Sequence, residues 1–320
     1  MVSGNFLKAY RFLCYEVLFL IAFGGSVRAM DAGLACPDWP LCFGDYIPDF
    51  HIQVYFEFLH RVLAGTVGLF VGGFGIYLLA RKDVSVLVKS LSVLSIVLVL
   101  AQVVMGGLTV LLLLDENTVT GHLLLATMLF ASLLWTYWEL RAEQVVAPKI
   151  GIPGWLKGMI LTLLFAVWAQ IILGGLVSAN YAGMACPTFP LCHGRLVPTL
   201  QGLVGLQVMH RLGAYLCVAL AFAIWIVLRK PQFSRNVPMR SWSRRLILAV
   251  IAQIFLGIAN VVFVIPPLIT VLHLAVATYI LGASLRLTFL MYWDKGELAQ
   301  TVRSSERQSV GWARPVEKNQ

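Results

Sequence analysis

The chain has 320 residues, 59% of them hydrophobic and only 12% charged, with a mean hydropathy of +0.84. A soluble domain carries about 25% charged residues, and one buried core could not use this much apolar side chain, so a soluble globular protein, a disordered chain and a small disulfide scaffold are excluded. The remaining class is an all-α polytopic membrane protein, and the net charge of +9 has to be read through its distribution.

Crossing a hydrocarbon core of about 30 Å takes roughly 20 mostly apolar helical residues. Eight stretches qualify, at 12–29, 54–80, 87–112, 119–140, 157–179, 202–228, 243–265 and 268–292. The first follows Lys8 and Arg11 and ends in Val27-x-Ala29, which imitates a signal peptide; the internal repeat described below argues that it is retained. Glu16 is expected one turn into this helix, facing the interface. Short turns at Asp115-Glu116-Asn117 and Pro266-Pro267 join helices three to four and seven to eight as hairpins. The tail, 294–320, is polar and carries no recognisable motif. Placing both termini in the cytoplasm gathers all 24 Lys and Arg there except Arg28, Arg61, Arg195 and Arg211. The positive charge is therefore a topology signal and not a nucleic-acid footprint.

The chain repeats itself at an offset of 150 residues. Gly24-Gly25 recurs as Gly174-Gly175, the segment Ala32 to Cys42 as Ala182 to Cys192, and His60-Arg61 as His210-Arg211. After one residue of slippage, Ala101-Gln102 matches Ala252-Gln253 and His122 matches His273. An even number of spans per repeat makes the halves parallel, related by an axis along the membrane normal. The predicted fold is eight transmembrane helices as two pseudo-symmetric four-helix bundles, residues 1–150 and 151–293. The Gly pairs read as places of close helix packing.

Cys36/Cys42 and Cys186/Cys192 lie in outward loops, 30–53 and 180–201. An oxidising outer face favours disulfides, each worth roughly 2 kcal/mol on the chain-entropy model. A redox-active pair is the alternative, and a metal site a weaker one, because two thiols at this spacing do not suit zinc. Cys14 and Cys217 read as small buried hydrophobes.

His51 and His193 fall in the outer loops as surface residues. His60, His122, His210 and His273 lie within spans at matching depth, where ionisable side chains usually face the bundle interior and mark function. Each half thus offers two imidazoles on different helices, the axial set of a haem iron. Arg61 and Arg211 follow directly, placed to pair with haem propionates or to snorkel to headgroups. Glu57 stands three residues before His60, on the same helix face, whereas Gln207 stands before His210. Glu57 is the candidate catalytic group, as a proton acceptor; a salt bridge to Arg61 is the alternative. Arg28 and Asp31 also lack charged counterparts, since Ser178 and Tyr181 stand in their places. The first half looks reactive and the second like the home of a bound cofactor.

With these residues the sequence resembles the haem A synthase family, the bacterial membrane haem O oxidases of cytochrome oxidase biogenesis. The likeness rests on Glu57-x-x-His60-Arg61, His122, Gln207-x-x-His210-Arg211, His273 and the Cys36 to Cys42 loop, and covers about residues 10–293. It implies oxidation of the C8 methyl group of haem O to a formyl group. By resemblance His60 and His122 flank the substrate haem O, His210 and His273 ligate a haem b that relays electrons, and Glu57 is the required carboxylate. It also implies a disulfide between Cys36 and Cys42, with the role of Cys186 and Cys192 less fixed. A multi-pass protein of the bacterial inner membrane follows, with the cysteine loops outside. The partners are haem O, membrane lipid, a haem O-producing farnesyltransferase by pathway logic, and an electron donor the sequence does not name; the oligomeric state is open.

Two other readings compete. A two-haem membrane electron-transfer cytochrome explains four histidines but gives Glu57 no task. A quinone-linked thiol oxidase explains the cysteines and leaves the histidines idle. A haem transporter or assembly chaperone is a weaker third.

Overall fold

A computed structural model describes residues 2–142, 151–196, 198 and 200–292. The linker 143–150 and the predicted tail 294–320 lie outside the described residues. Among those described, eight helices are long and apolar enough to cross a membrane: α1 (Gly4–Ala29), α2 (Ile52–Ala80), α3 (Val86–Leu111), α4 (Glu116–Ala142), α5 (Gly154–Ala179), α6 (Gly202–Leu228), α7 (Val237–Val262) and α8 (Pro267–Tyr292).

The predicted spans agree except where capping, which hydropathy does not register, sets the helix end. Ser3 accepts the amide of Phe6 and starts α1 at Gly4, ahead of the apolar run, the ordinary action of an N-cap serine. Glu16 therefore sits at mid-helix and not one turn in, with Oε2 buried and unpaired. Asn236 likewise caps α7 through the Met239 amide and carries the helix through Arg240, Arg244 and Arg245. At the other end α7 stops at Val262, because Val264 and Ile265 have φ near +58° and +56° before Pro266. Their counterparts Leu113 and Leu114 turn the α3–α4 hairpin in the same left-handed conformation, strained for residues with a Cβ. Glu116 opens α4 rather than belonging to the turn.

Helices α1–α4 pack in a ring closed by α1 on α4, and α5–α8 in a second ring closed by α5 on α8. The rings meet through α1 on α8, α4 on α5 and α4 on α8, which is the pattern a two-fold axis between α4 and α8 produces. The second glycine of each pair makes this junction possible. A Cβ at Gly25 would strike Leu274 on α8, and one at Gly175 would press on Leu123 and Thr120 on α4. Large apolar residues such as Phe12, Phe19, Leu69, Leu100, Phe165 and Phe255 face outward, where lipid is their solvent.

Packing is uneven along the axis. Fully buried side chains concentrate in one half of the bundle's height: Leu13 early in α1, Leu133 and Leu140 late in α4, Leu156 and Ile160 early in α5, Ile224 late in α6, and Phe289 late in α8. The opposite end, where the disulfide loops lie, is looser. The four span histidines are at that end.

Candidate functional site

His60 and His210 are each eight residues into their helices, and His122 and His273 six, so all four lie about 9–12 Å below the same end at 1.5 Å per residue. Each ring rests on a glycine of the preceding helix. A Cβ would meet the ring's Cε1 at 3.0 Å from Gly24 (to His60), 3.3 Å from Gly106 (to His122), 3.1 Å from Gly174 (to His210) and 3.3 Å from Gly257 (to His273). Each of these glycines is five residues before the last residue of its helix. Gly24 and Gly174 thus make room for imidazole, while their neighbours Gly25 and Gly175 serve the helix packing expected of the pair.

The four rings are partly buried, neither sealed in the core nor open to the surface. His60 and His122 are close enough to interact electrostatically, as are His210 and His273. Nδ1 of His60, His122 and His273 is buried without a hydrogen-bond partner, which is unusual for a buried polar atom. His122 Nε2 is approached only distantly, at 3.5 Å, by Gln102. His210 differs: Gln170 Nε2 lies 3.0 Å from its Nδ1 and 2.7 Å from its carbonyl oxygen.

The donor set discriminates between occupants. Among the described residues no cluster of three or more His, Cys, Asp or Glu is placed to hold a metal ion. Two imidazoles per half are too few for a bare ion, but they suffice for an iron whose other ligands come from a porphyrin. The rings, paired two to each half at matched depth and each cradled against a glycine, therefore fit haem.

At the mouth of the first half the loop is bound to the His60 helix through one ion pair. Glu57, only 4% exposed, accepts the Cys36 amide at 2.8 Å and pairs with Arg61 at 2.5 Å. Arg61 also donates to the carbonyls of Asp38, Leu41 and Cys36. The i,i+4 salt bridge is thus present, and both carboxylate oxygens are engaged. Arg211 repeats the pattern on the carbonyls of Thr188, Leu191 and Cys186. Gln207 supplies no ion pair, and its Oε1 is buried without a partner.

Both cysteine pairs form disulfides, with Cα–Cα distances of 4.8 Å. Each loop closes through an antiparallel bridge, Cys42 to Asp45 and Cys192 to Arg195. The intervening residues, Phe43-Gly44 and His193-Gly194, have positive φ, as a type I′ turn requires. Asp38 accepts the amides of Phe43 and Gly44 at 2.7 and 2.8 Å, and the Gly44 bond above all holds its carboxyl below the usual range. Trp39 lies against Gly107, next to the glycine that seats His122. Cys14 and Cys217 are buried free thiols.

Sequence reasoning singled out the four span histidines, Glu57, Arg61, Arg211 and the four loop cysteines, and the structure groups them at one end of the bundle. It missed Gly106, Gly257 and Gln170. The repeat carried a signal for the first two, since Gly106 and Gly257 share the one-residue slippage that relates Gln102 to Gln253. Gln170 had none, because its counterpart is Leu20.

A family model described as COX15-CtaA, cytochrome oxidase assembly protein, matches residues 10–51 and 47–285. Among curated proteins, the chain is 29% identical to one named heme A synthase from Shewanella oneidensis, covering 89% of this chain and 96% of that protein. It is 30% identical to one of the same name from Alkalihalophilus pseudofirmus, over 77% of this chain and 83% of that protein. A third so named, from Halalkalibacterium halodurans, is 28% identical over 74% and 80%.

Proposed function

Because the chain belongs to the COX15-CtaA family of cytochrome oxidase assembly proteins, we propose that it is a haem A synthase of the membrane, oxidising the C8 methyl group of haem O to a formyl group. The observation that carries this reading is the set of four histidines, each seated on a glycine at matched depth, two in each half. His60 and His122 hold the substrate haem O. His210 and His273 hold a haem b. When bound, the haem iron supplies the redox chemistry that protein side chains lack.

The chain's own residues do the rest. The paired rings would hold one haem in each bundle. Arg61 and Arg211 anchor the disulfide loops over the histidine end of each bundle, where their guanidinium groups would pair with a haem's carboxylates. Glu57 joins that loop to the helix of His60, and on releasing Arg61 its Oε1 can accept a proton one turn from the substrate site. The tight packing at the far end confines the sites to the histidine end of each bundle.

The same reading puts both termini in the cytoplasm and the disulfide loops outside, since most of the Lys and Arg among the described residues lie at the opposite end. A haem O-producing farnesyltransferase upstream and a separate electron donor complete the scheme.

The test is to express the protein with a haem O source, purify it, and identify its haems by acid extraction and chromatography. Haem b together with haem O or haem A is the expected result. Haem b alone, with no conversion of supplied haem O under any reductant, would replace this reading with a two-haem electron-transfer cytochrome.

A further inference from the structure

The two halves differ on the back of one histidine. On α5, Gln170 reaches His210 Nδ1 at 3.0 Å and the His210 carbonyl at 2.7 Å. Its other amide atom, Oε1, is buried without a partner. It fits only because residue 213 on α6 is glycine: a Cβ there would collide with Gln170 Oε1. In the first half the corresponding residues are Leu20 and Leu63. There the equivalent ring, His60, has no partner on Nδ1. Gln170 and Gly213 are therefore a matched pair that the first half replaces with two leucines.

We propose that Gln170 is a positioning residue for His210 that makes the second half the site of tightly held haem, whereas the first half, with Leu20 and Leu63, is built for a haem that comes and goes. This rests on the reading that His210 and His273 bind haem. A ring held only by packing turns about its Cβ–Cγ bond, whereas one also hydrogen-bonded through the nitrogen away from the metal keeps its orientation and tautomer. Ligation through Nε2 leaves a proton on Nδ1, and that N–H needs an acceptor. The unpaired Oε1 of the same amide is that acceptor once the amide turns, in the room Gly213 leaves. This accounts for an otherwise unexplained buried oxygen. It also suits the chemistry, since a substrate must leave after oxidation and an electron relay must stay.

The test uses the full chain purified with its haems. Gln170→Leu copies the first half's residue. Gly213→Ala keeps the glutamine but pushes its amide aside, so folding defects and loss of the hydrogen bond are separated. Two quantities are read: the rate of haem b transfer to excess apomyoglobin, and the low-spin ferric electron paramagnetic resonance signal, which responds to the relative orientation of axial rings. Loss of such an outer partner typically lowers metal affinity about 10–100-fold, and both variants should release haem b faster by about that factor with a shifted signal. His273→Ala serves as the reference for the site itself and should lack haem b. If His273→Ala lacks haem b while Gln170→Leu and Gly213→Ala match the parent in rate and signal, the positioning role is overturned alone. If His273→Ala retains haem b, the assignment of the second half falls and the proposal with it.

Discussion

Arg28 donates a 3.0 Å hydrogen bond to the carbonyl of Ser178, the residue that occupies its own place in the second half. It also donates at 2.9 Å to the hydroxyl of Tyr181, which stands where the first half has Asp31, and its guanidinium lies 4.0 Å over the Tyr181 ring. Residues related by an internal two-fold touch each other only beside the axis. The pseudo-symmetry axis therefore emerges between the ends of α1 and α5, and Arg28 clasps the halves there.

Replacing Arg28 with Ala should loosen the junction at its loop end. Hydrogen bonds to charged groups contribute about 1.5–3 kcal/mol when well buried; discounted for partial exposure, a loss of about 1 kcal/mol is expected here. Thermal unfolding in detergent measures it. Ser178→Ala should be near neutral because the bond uses the backbone carbonyl, and Tyr181→Phe should fall between the two.

Gly24→Ala and Gly174→Ala should each disturb one haem site. The new methyl would stand 3.0 or 3.1 Å from a histidine ring carbon, and overpacking of this kind costs about 1–3 kcal/mol. Occupancy of the matching haem should drop about tenfold, with the other haem retained, as read from extracted haem per protein. Gly72→Ala, with open space around it, is the control and should change neither.

Glu57→Gln copies the second half's residue at this place, Gln207. It removes the charge that pairs with Arg61 but keeps an acceptor for the Cys36 amide. Haem binding should persist while haem A formation falls by a factor of about 100 or more, the usual worth of a positioned proton-transfer group. Haem A produced at the parent rate in cells supplied with haem O would remove Glu57 from the reaction.

Acid should open the first loop through Asp38. Its carboxyl is held low by the Gly44 and Phe43 amides and by Arg61. The folded value therefore lies below the unfolded one, about 3.9. Ionised Asp38 favours the closed turn above that range, and the contribution vanishes as pH falls through the folded value. Exchange protection of the Phe43 and Gly44 amides should be level at neutral pH and decline in acid. In Asp38→Asn it should be lower and independent of pH.

The architecture was legible because the bilayer imposes a length and the repeat imposes a register. Hydropathy located all eight helices but not their ends, since Ser3 and Asn236 extend α1 and α7 past the apolar runs through capping, a local hydrogen-bond effect. The four histidines stood out as ionisable residues inside spans at duplicated positions. What seats them was harder to see. A glycine in an apolar helix looks the same whether it faces another helix, as Gly25 does, or an imidazole, as Gly24 does. Gln170 was invisible to the repeat because it exists on one side only. Glu57 was found by just such an inequality, but its partners, the Cys36 amide and the loop-bound Arg61, depend on how a distant loop folds back.

The spacing of glycines and histidines carries one more consequence. A helix ending with glycine five residues from its terminus, followed by a helix beginning with histidine, occurs four times along the chain: α1–α2, α3–α4, α5–α6 and α7–α8. The building block is thus a quarter of the molecule, and two blocks supply the pair of histidines proposed to hold one haem. Each half carries both of its seated histidines on one continuous stretch of chain, so a cut between α4 and α5 would leave each pair whole. The halves differ instead in a few side chains behind the rings and at the mouths, Gln170 against Leu20 and Glu57 against Gln207.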